Sequence, residues 1–282
     1  MVVGSMDTFE ILIATDIHIG FAEKDPVRRD DSINTFEEVL QIAQKRNVDL
    51  VLLGGDLFHE SKPSRYCLYR CMELLRKYCL SDRPVCFELV SENEASFAHS
   101  AFAHVNYEDS NLNVGLPVFT IHGNHDDIGS NGLGAMDLLH VSGLVNYFGK
   151  NTTMENVTIS PLLLRKGNTT LALYGLGAMK DDRLHRLFLD HKVSFSKLQE
   201  GSSIGLCFSM MVIHQNRARH NVCNWIPESM LPDFLDLVVW GHEHPCLIGK
   251  RWVCRCNKSF IIDTYISMHL LPYTHAETLN SY

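Results

Sequence analysis

Short apolar runs recur along the chain, and each ends abruptly in small and ionisable residues. The runs cover 11–15, 49–53, 118–121, 208–213 and 237–240. They are partly β-branched and continuously apolar, as buried strands are. The pattern therefore predicts five strands, each of which delivers polar groups at its carboxyl end.

Helical patterns lie between these runs. Apolar residues share one helical face over 33–43 and again over 67–78, and shorter amphipathic segments occupy 135–141 and 181–189. Strands that alternate with helices predict βαβ units and a layered α/β architecture. Because ligands in such sheets collect beyond the carboxyl ends of the strands, we expect the polar clusters to converge in space.

Two segments break the alternation. Residues 87–115 are polar and weakly periodic, which favours a surface insertion. Residues 247–282 have no strand rhythm except over 260–266. We therefore expect a core over 7–246 followed by an atypical C-terminal tail.

Composition excludes several classes of protein. With 45% hydrophobic and 21% charged residues, the 282-residue chain is globular rather than disordered. No apolar run approaches a membrane-spanning length, and the nine cysteines have no C-x-x-C spacing, so we expect a reduced protein with no membrane partner. The net charge of −8 would repel a polyanion, so a nucleic-acid partner would need a local basic strip or bound cations.

The clusters after the strands contain the residue types that bind metals. They read Asp16-Ile17-His18, Gly54-Gly55-Asp56, Gly123-Asn124-His125-Asp126, His214 and Gly241-His242-Glu243-His244. Taken singly, each also fits a helix cap, a turn or a core histidine. Their order, with every cluster following a strand, makes coincidence improbable.

Two carboxylates, one amide and four imidazoles in these clusters are candidate metal ligands. They are Asp16, His18, Asp56, Asn124, His214, His242 and His244. This mixture suits manganese, iron or zinc better than calcium, which takes oxygen ligands only. Seven ligands are too many for one ion, and if one carboxylate bridges they fill two sites, so the predicted reaction is phosphoester hydrolysis.

The remaining polar residues have candidate catalytic roles. His125 adjoins a ligand and could protonate the leaving oxygen, or it could only support the site. Asp126 or Asp127 could hold the His125 ring. His59 either contacts a phosphate oxygen or caps the following turn.

The complete set of clusters resembles the calcineurin-like metallophosphoesterases. The sequence in and around the clusters most resembles the Mre-eleven nuclease family of eukaryotic double-strand-break repair. The residues that carry this resemblance are 54–60, 106–113, 121–127, 173–177, 214–217 and 240–244. The resemblance covers 7–246. It implies an α/β sandwich of two central β-sheets flanked by helices.

The resemblance also implies a site with two manganese ions. One ion would be held by Asp16, His18, Asp56 and His244, and the other by Asp56, Asn124, His214 and His242. Asp56 would then bridge the ions, His125 would be the catalytic acid and His59 a supporting phosphate contact.

The implied activity is 3′-to-5′ exonuclease and single-strand endonuclease cleavage of DNA in the nucleus. Implied partners are a Rad-fifty ATPase, a Nbs-one adaptor that meets 87–115, and a second copy of the chain bound through helices at 64–78 and 135–141. Basic side chains that could line the DNA path, or could only form a solvated basic face, are Arg28, Arg29, Lys62, Arg65, Arg217, Arg219 and His220.

Residues 247–282 depart from the family pattern. They resemble neither its DNA-capping domain nor its ATPase-binding region, which makes the Rad-fifty contact doubtful and suggests a truncated or alternatively spliced product. Two alternatives to an active nuclease stay open. The same metals could serve a small-phosphomonoester hydrolase, or the chain could be a silent form that dimerises or binds the adaptor.

Overall fold

A computed structural model describes most of the chain. The described residues are 7–91, 97, 99–127, 132–151, 155–196, 207–218 and 223–243, together with the backbone of three later strands. Within them no helix is both long enough and apolar enough to cross a membrane.

Helices follow four of the strands, as the apolar pattern predicts, and the other strands follow one another along the chain. The strands are β1 (Phe9–Ala14), β2 (Leu50–Leu53), β3 (Glu88–Leu89), β4 (Val118–Thr120), β5 (Asn146–Tyr147), β6 (Val157–Ile159), β7 (Leu162–Lys166), β8 (Thr169–Leu176), β9 (Val193–Phe195), β10 (Cys207–His214), β11 (Leu237–Gly241), β12 (Leu247–Ile248), β13 (Trp252–Cys254) and β14 (Tyr265–Leu270). The helices are α1 (Asp31–Arg46), α2 (Arg65–Cys79), α3 (Ala135–Val141) and α4 (Asp181–Leu189). All five predicted strands and all four predicted helices are confirmed.

Two large sheets form the centre of the molecule. The first has the strand order β14-β1-β2-β4-β5 and is parallel except for β14. The second has the order β12-β13-β11-β10-β8-β7-β3, with β8, β10, β11 and β13 parallel. Parallel strands leave their carboxyl ends at a common edge in each sheet, which is where the polar clusters follow.

Strand alternation divides the core into layers. In β1, Leu12 and Ala14 pack towards α1 and α2, whereas Ile11 and Ile13 pack between the two sheets. In β10, alternate residues likewise face the first sheet or the layer that contains α4. The chain is therefore a helix–sheet–sheet–helix sandwich, and the predicted fold class is confirmed.

Helix ends show why the helices begin and stop where they do. The Ser64 side chain accepts a hydrogen bond from the backbone N–H of Cys67 and caps α2. Helix α1 ends at Arg46, and the next residue, Asn47, caps it in a left-handed conformation with φ 56°. These local signals fix where α1 ends and where α2 begins. Each of the two helices packs one apolar face against the first sheet.

The described part of 87–115 is more deeply packed than a surface insertion would be. Phe97 and Val105 are fully buried between the sheets, and β3 pairs with β7. Asn106 donates its backbone N–H to the side-chain oxygen of fully buried Asn146 at 2.7 Å, and Asn146 donates back at 2.9 Å. The apolar residues here are too widely spaced to give a periodic signal, so their burial was not predicted.

Strands also occur in 247–282. Strand β13 continues the second sheet parallel to β11, and β14 lies antiparallel to β1 at the edge of the first sheet. The predicted strand rhythm at 260–266 overlaps β14 only at its start. The boundary at 246 stays a prediction.

Candidate metal centre

Polar residues from distant parts of the chain meet beyond the carboxyl ends of the parallel strands. The possible ligand atoms of Asp56, His214 and His242 all lie within 4.8 Å of one another. Those of Asp16, His18 and Asp56 satisfy the same limit. The structure therefore forms two adjacent groups of candidate ligands that share Asp56, and His18, His59 and His125 form a third group within the same limit.

Asp56 belongs to both groups. Its Oδ2 atom lies 3.3 Å from Nε2 of His214 and 3.6 Å from Nε2 of His18. Its Oδ1 atom accepts a hydrogen bond from the backbone N–H of His125 at 2.8 Å. A single carboxylate oxygen thus faces one imidazole of each group, as a bridging ligand would.

The side-chain oxygen of Asn124 joins the second group. It lies 2.7 Å from Nδ1 of His242 and 3.2 Å from Nε2 of His214. The other nitrogen of His214, Nδ1, donates to the backbone carbonyl of Gly54 at 2.8 Å. Because a carbonyl can only accept, this bond keeps the proton on Nδ1 and leaves Nε2 for a metal or a proton.

The backbone is held in an unusual conformation at these positions. Asp16, His18, Asp56 and His242 all have positive φ, between 50° and 85°. Left-handed backbone costs about 1–2 kcal/mol at a non-glycine residue, and such strain clusters at functional sites. The backbone N–H of His18 donates to the Asp56 carbonyl at 2.9 Å, so the two strained turns support each other.

Glycines allow the turns to approach so closely. Gly55 has φ +94°, and a Cβ atom there would lie 2.5 Å from Nδ1 of His214. A Cβ atom at Gly123 would collide with the Asp56 side chain. The glycines of the Gly-Asp and Gly-Asn-His motifs are therefore needed because there is no room for a side chain, and the residues that follow them supply the polar groups.

Burial and charge oppose each other at the shared carboxylate. Burial tends to raise the pKa of Asp56, but the hydrogen bond to His214 and its charge hold that pKa at about 2. Burial tends to lower the pKa of His214, but Asp56 and Asp16 together raise it to about 9. Before metal binding, a protonated His214 therefore neutralises an ionised Asp56.

The other two imidazoles favour the neutral form. Burial outweighs the attraction of Asp56 and Asp16 and lowers the pKa of His18 to about 4. The pKa of His242 is also lowered, by burial and by the charge of His214. Neutral imidazole is the form that binds metals.

This donor set fits divalent metal ions. Asp16 and Asp56 are 3% and 1% exposed, and among the described residues their ion pairs are with histidines alone. Buried carboxylates need compensating positive charge, and mixed carboxylate, amide and imidazole donors suit borderline divalent metals.

The ring of His125 is held by a backbone carbonyl rather than by the neighbouring acid. Its Nδ1 donates to the carbonyl of His59 at 2.7 Å. Asp126 instead accepts from the backbone N–H groups of Gly123 at 2.5 Å and Leu57 at 2.8 Å. Both oxygens of Asp126 join the loops after β2 and β4, so Asp126 does not hold the ring, and the alternative that Asp127 holds it stays a prediction.

His59 contacts both neighbouring histidines. Its Nδ1 lies 3.4 Å from Nδ1 of His18, and its ring stacks on that of His125 with centroids 5.0 Å apart. The ring of His59 is thus part of the site, next to the candidate acid.

Several of the basic residues that we expect to line the DNA path form contacts with other residues of the chain. Arg217 donates from Nε to Glu228 at 2.6 Å, which makes it a poor candidate for phosphate contact. Arg28 and Arg29 form exposed ion pairs with Asp31 and Asp30. Arg219 and His220, like the candidate ligand His244, lie outside the described residues.

Glu243 is a supporting residue that the sequence pattern did not single out. It is 6% exposed and accepts from the backbone N–H groups of Arg217, at 2.6 Å, and Ala218. It therefore ties the loop after His214 to the turn that carries His242. Only its place between two histidines could have pointed to it.

Comparison with known proteins gives a family and several relatives. A family model described as calcineurin-like phosphoesterase matches residues 9–246. The chain is 55% identical over 244 residues to the double-strand break repair protein MRE11 of Mus musculus, covering 86% of this chain and 34% of that protein.

More distant organisms have similar relatives. The identity is 52% over 253 residues to the double-strand break repair protein mre-11 of Caenorhabditis elegans, covering 88% of this chain and 34% of that protein. It is 51% over 255 residues to MRE11 of Arabidopsis thaliana, covering 88% and 35%. The chain spans about a third of the length of these curated relatives.

Proposed function

The chain belongs to the calcineurin-like phosphoesterase family, and on that premise we propose that it is a two-metal nuclease that hydrolyses phosphodiester bonds of DNA in double-strand-break repair. The observation that carries the proposal is the position of Asp56, whose Oδ2 faces His18 of one candidate group and His214 of the other. The similarity to double-strand break repair proteins supports DNA as the substrate.

The family implies divalent metal ions, and we propose two Mn²⁺. Asp16, His18 and Asp56 would hold one ion together with His244, and Asp56, Asn124, His214 and His242 would hold the other. When bound, such a pair lowers the pKa of a shared water and offsets charge on the attacking and leaving oxygens.

Residues of the chain itself then orient the substrate and protonate the leaving group. The bond from Nδ1 of His125 to the His59 carbonyl fixes the ring and directs proton exchange to Nε2. We assign His125 as the acid that protonates the leaving 3′ or 5′ oxygen. The His59 ring, stacked on His125, is assigned to support this geometry and to contact phosphate.

The proposed activities are 3′-to-5′ exonuclease and single-strand endonuclease cleavage in the nucleus. A second copy of the chain would bind through α2 and α3, where Tyr69, Leu138 and Val141 are 64%, 45% and 45% exposed. The described part of 87–115 is proposed to meet an adaptor subunit.

A substrate comparison tests the function. The purified chain is assayed with Mn²⁺ on a DNA hairpin with a 3′ overhang and on p-nitrophenyl phosphate, with Asp56→Asn as the matched inactive control. We expect cleavage of DNA by the wild type only. Hydrolysis of the phosphomonoester without DNA cleavage would favour the small-substrate alternative, and metal binding without any hydrolysis would favour the silent one.

A further inference from the structure

One large aromatic side chain beside the metal centre is exposed. Phe21 lies three residues after His18, and 42% of its surface is accessible. By contrast, Phe58 and Phe36 in the adjoining core are fully buried. An exposed aromatic ring close to a catalytic centre is available to a ligand.

The turn that carries Phe21 is firmly built. Its backbone N–H donates to the His18 carbonyl at 2.9 Å, and Gly20 and Ala22 on either side have φ of 96° and 57°. The following residue, Glu23, accepts a hydrogen bond from the Ser64 hydroxyl at 2.6 Å, which ties the turn to the start of α2. The ring is therefore presented on a preorganised loop.

Phe21 also continues a row of rings that begins at the candidate acid. His125 and His59 stack with centroids 5.0 Å apart and planes 20° apart. The rings of His59 and Phe21 then meet at right angles, with centroids 5.2 Å apart. The Phe21 ring thus lies one side chain beyond the residue that is stacked on His125.

A cation lies over the same ring. The guanidinium carbon of Arg28 is 5.7 Å from the Phe21 centroid, within the range of a cation–π contact. An exposed aromatic ring together with a guanidinium is the combination that binds single-stranded nucleic acid, through base stacking and attraction of the phosphate backbone. The ion pair of Arg28 with Asp31 is exposed and therefore weak, so the guanidinium can exchange it for a phosphate.

We propose that Phe21 is a stacking platform for the nucleobase adjacent to the phosphate that is cleaved. This inference rests on the proposed nuclease function and names the feature of DNA that the site would select. An internal base of a duplex can stack on Phe21 only after it has left its place between its neighbours. The platform therefore favours single strands, flaps and frayed ends over intact duplex at the cleavage step.

A double-mutant cycle between the ring and the base tests the platform. Wild type, Phe21→Ala and Phe21→Trp are compared on single-stranded DNA, and on the same DNA with a tetrahydrofuran abasic nucleotide on either side of the cleaved bond. Stacking on an aromatic side chain predicts that Phe21→Ala lowers kcat/KM about five- to 150-fold on normal DNA. On abasic DNA the same substitution should change it less than about twofold, and Phe21→Trp should retain activity on normal DNA.

An equal loss on normal and abasic DNA would overturn the proposal, since Phe21 would then only support His59. The same comparison is repeated with dissociation constants in place of kcat/KM. These are measured with Mn²⁺ present, and every protein also carries His125→Leu, which prevents turnover. If the wild type binds DNA but does not cleave it, the nuclease function fails while the binding cycle still decides on the platform. Loss of base-dependent binding only in the Phe21→Ala protein would support the platform.

Discussion

The backbone carbonyl of His59 accepts a hydrogen bond from Nδ1 of His125 at 2.7 Å. A main-chain oxygen therefore orients the candidate acid, and this contact survives any change of the His59 side chain. The main chain of His59 therefore orients the His125 ring, whereas the His59 side chain stacks on it. A sequence motif cannot distinguish these two roles.

Replacing His125 should remove proton transfer without removing metal. For His125→Leu we expect DNA cleavage to fall about 10²- to 10⁴-fold, the usual contribution of general acid catalysis. Metal content, measured by plasma mass spectrometry, should stay unchanged because the side chain is not among the proposed ligands. His59→Ala is the matched control, and since it keeps the carbonyl its effect should be smaller. Loss of metal in His125→Leu would mean that the residue is a ligand.

Replacing Asp56 should affect both ions, whereas replacing Asp16 should affect one. The Asp56 carboxylate belongs to both groups of candidate ligands, and Asp16 to only one of them. Manganese titration should give no tight sites for Asp56→Ala and one for Asp16→Ala. Two ions retained by Asp56→Ala would show that the carboxylate does not bridge.

Metal binding should release a proton from His214. In the metal-free protein burial opposes a charged His214, but Asp56 and Asp16 outweigh it and raise the pKa to about 9. Calorimetry in buffers of different ionisation enthalpy should therefore detect about one released proton near pH 7.5 and fewer above pH 9. Proton release that stays near zero at pH 7.5 would contradict a protonated His214.

The same pKa predicts how the metal-free fold depends on pH. Because the folded pKa of His214 lies above its usual value of 6.5, its stabilisation is complete below about pH 6.5 and is lost as the pH rises through about 9. The Tm of the metal-free wild type should fall over this window. In His214→Asn the fall should be smaller, and an equal fall in both proteins would exclude His214 as its source.

A buried ion pair joins the two sheets away from the metal centre. Lys166 donates to both oxygens of Asp49, at 2.7 and 2.8 Å, and to the Thr8 carbonyl at 2.7 Å. Lys166→Met leaves the buried carboxylate unpaired and should lower the free energy of unfolding by about 3–5 kcal/mol. Arg165→Ala, which breaks an exposed pair with Glu88, should cost no more than about 1 kcal/mol. Urea denaturation of both variants measures the difference, and similar losses would contradict it.

The sequence was informative where local pattern and chemistry coincide. Apolar periodicity located α1 and β10, and the polar words after the strands located Asp56 and His214. It could not supply contacts that depend on the assembled sheets. The His59 carbonyl has no sequence signature, and Asp126 joins two loops whose approach only the tertiary fold defines.

The insertion and the later strands illustrate the same limit. Phe97 and Val105 are isolated apolar residues in a polar segment, so their burial depends on a cavity that the rest of the chain creates. Strand β13 is only three residues long, which is too short for a periodic signal, and it forms by pairing with β11. Long-range pairing rather than local preference decides both.

Anomalous diffraction at the manganese absorption edge, from crystals of the metal-loaded chain, tests the central claim most directly. A bridged pair predicts two peaks on either side of the Asp56 carboxylate, separated by about 3.5–4 Å. A single peak, or two peaks that do not share Asp56, would contradict the two-metal account.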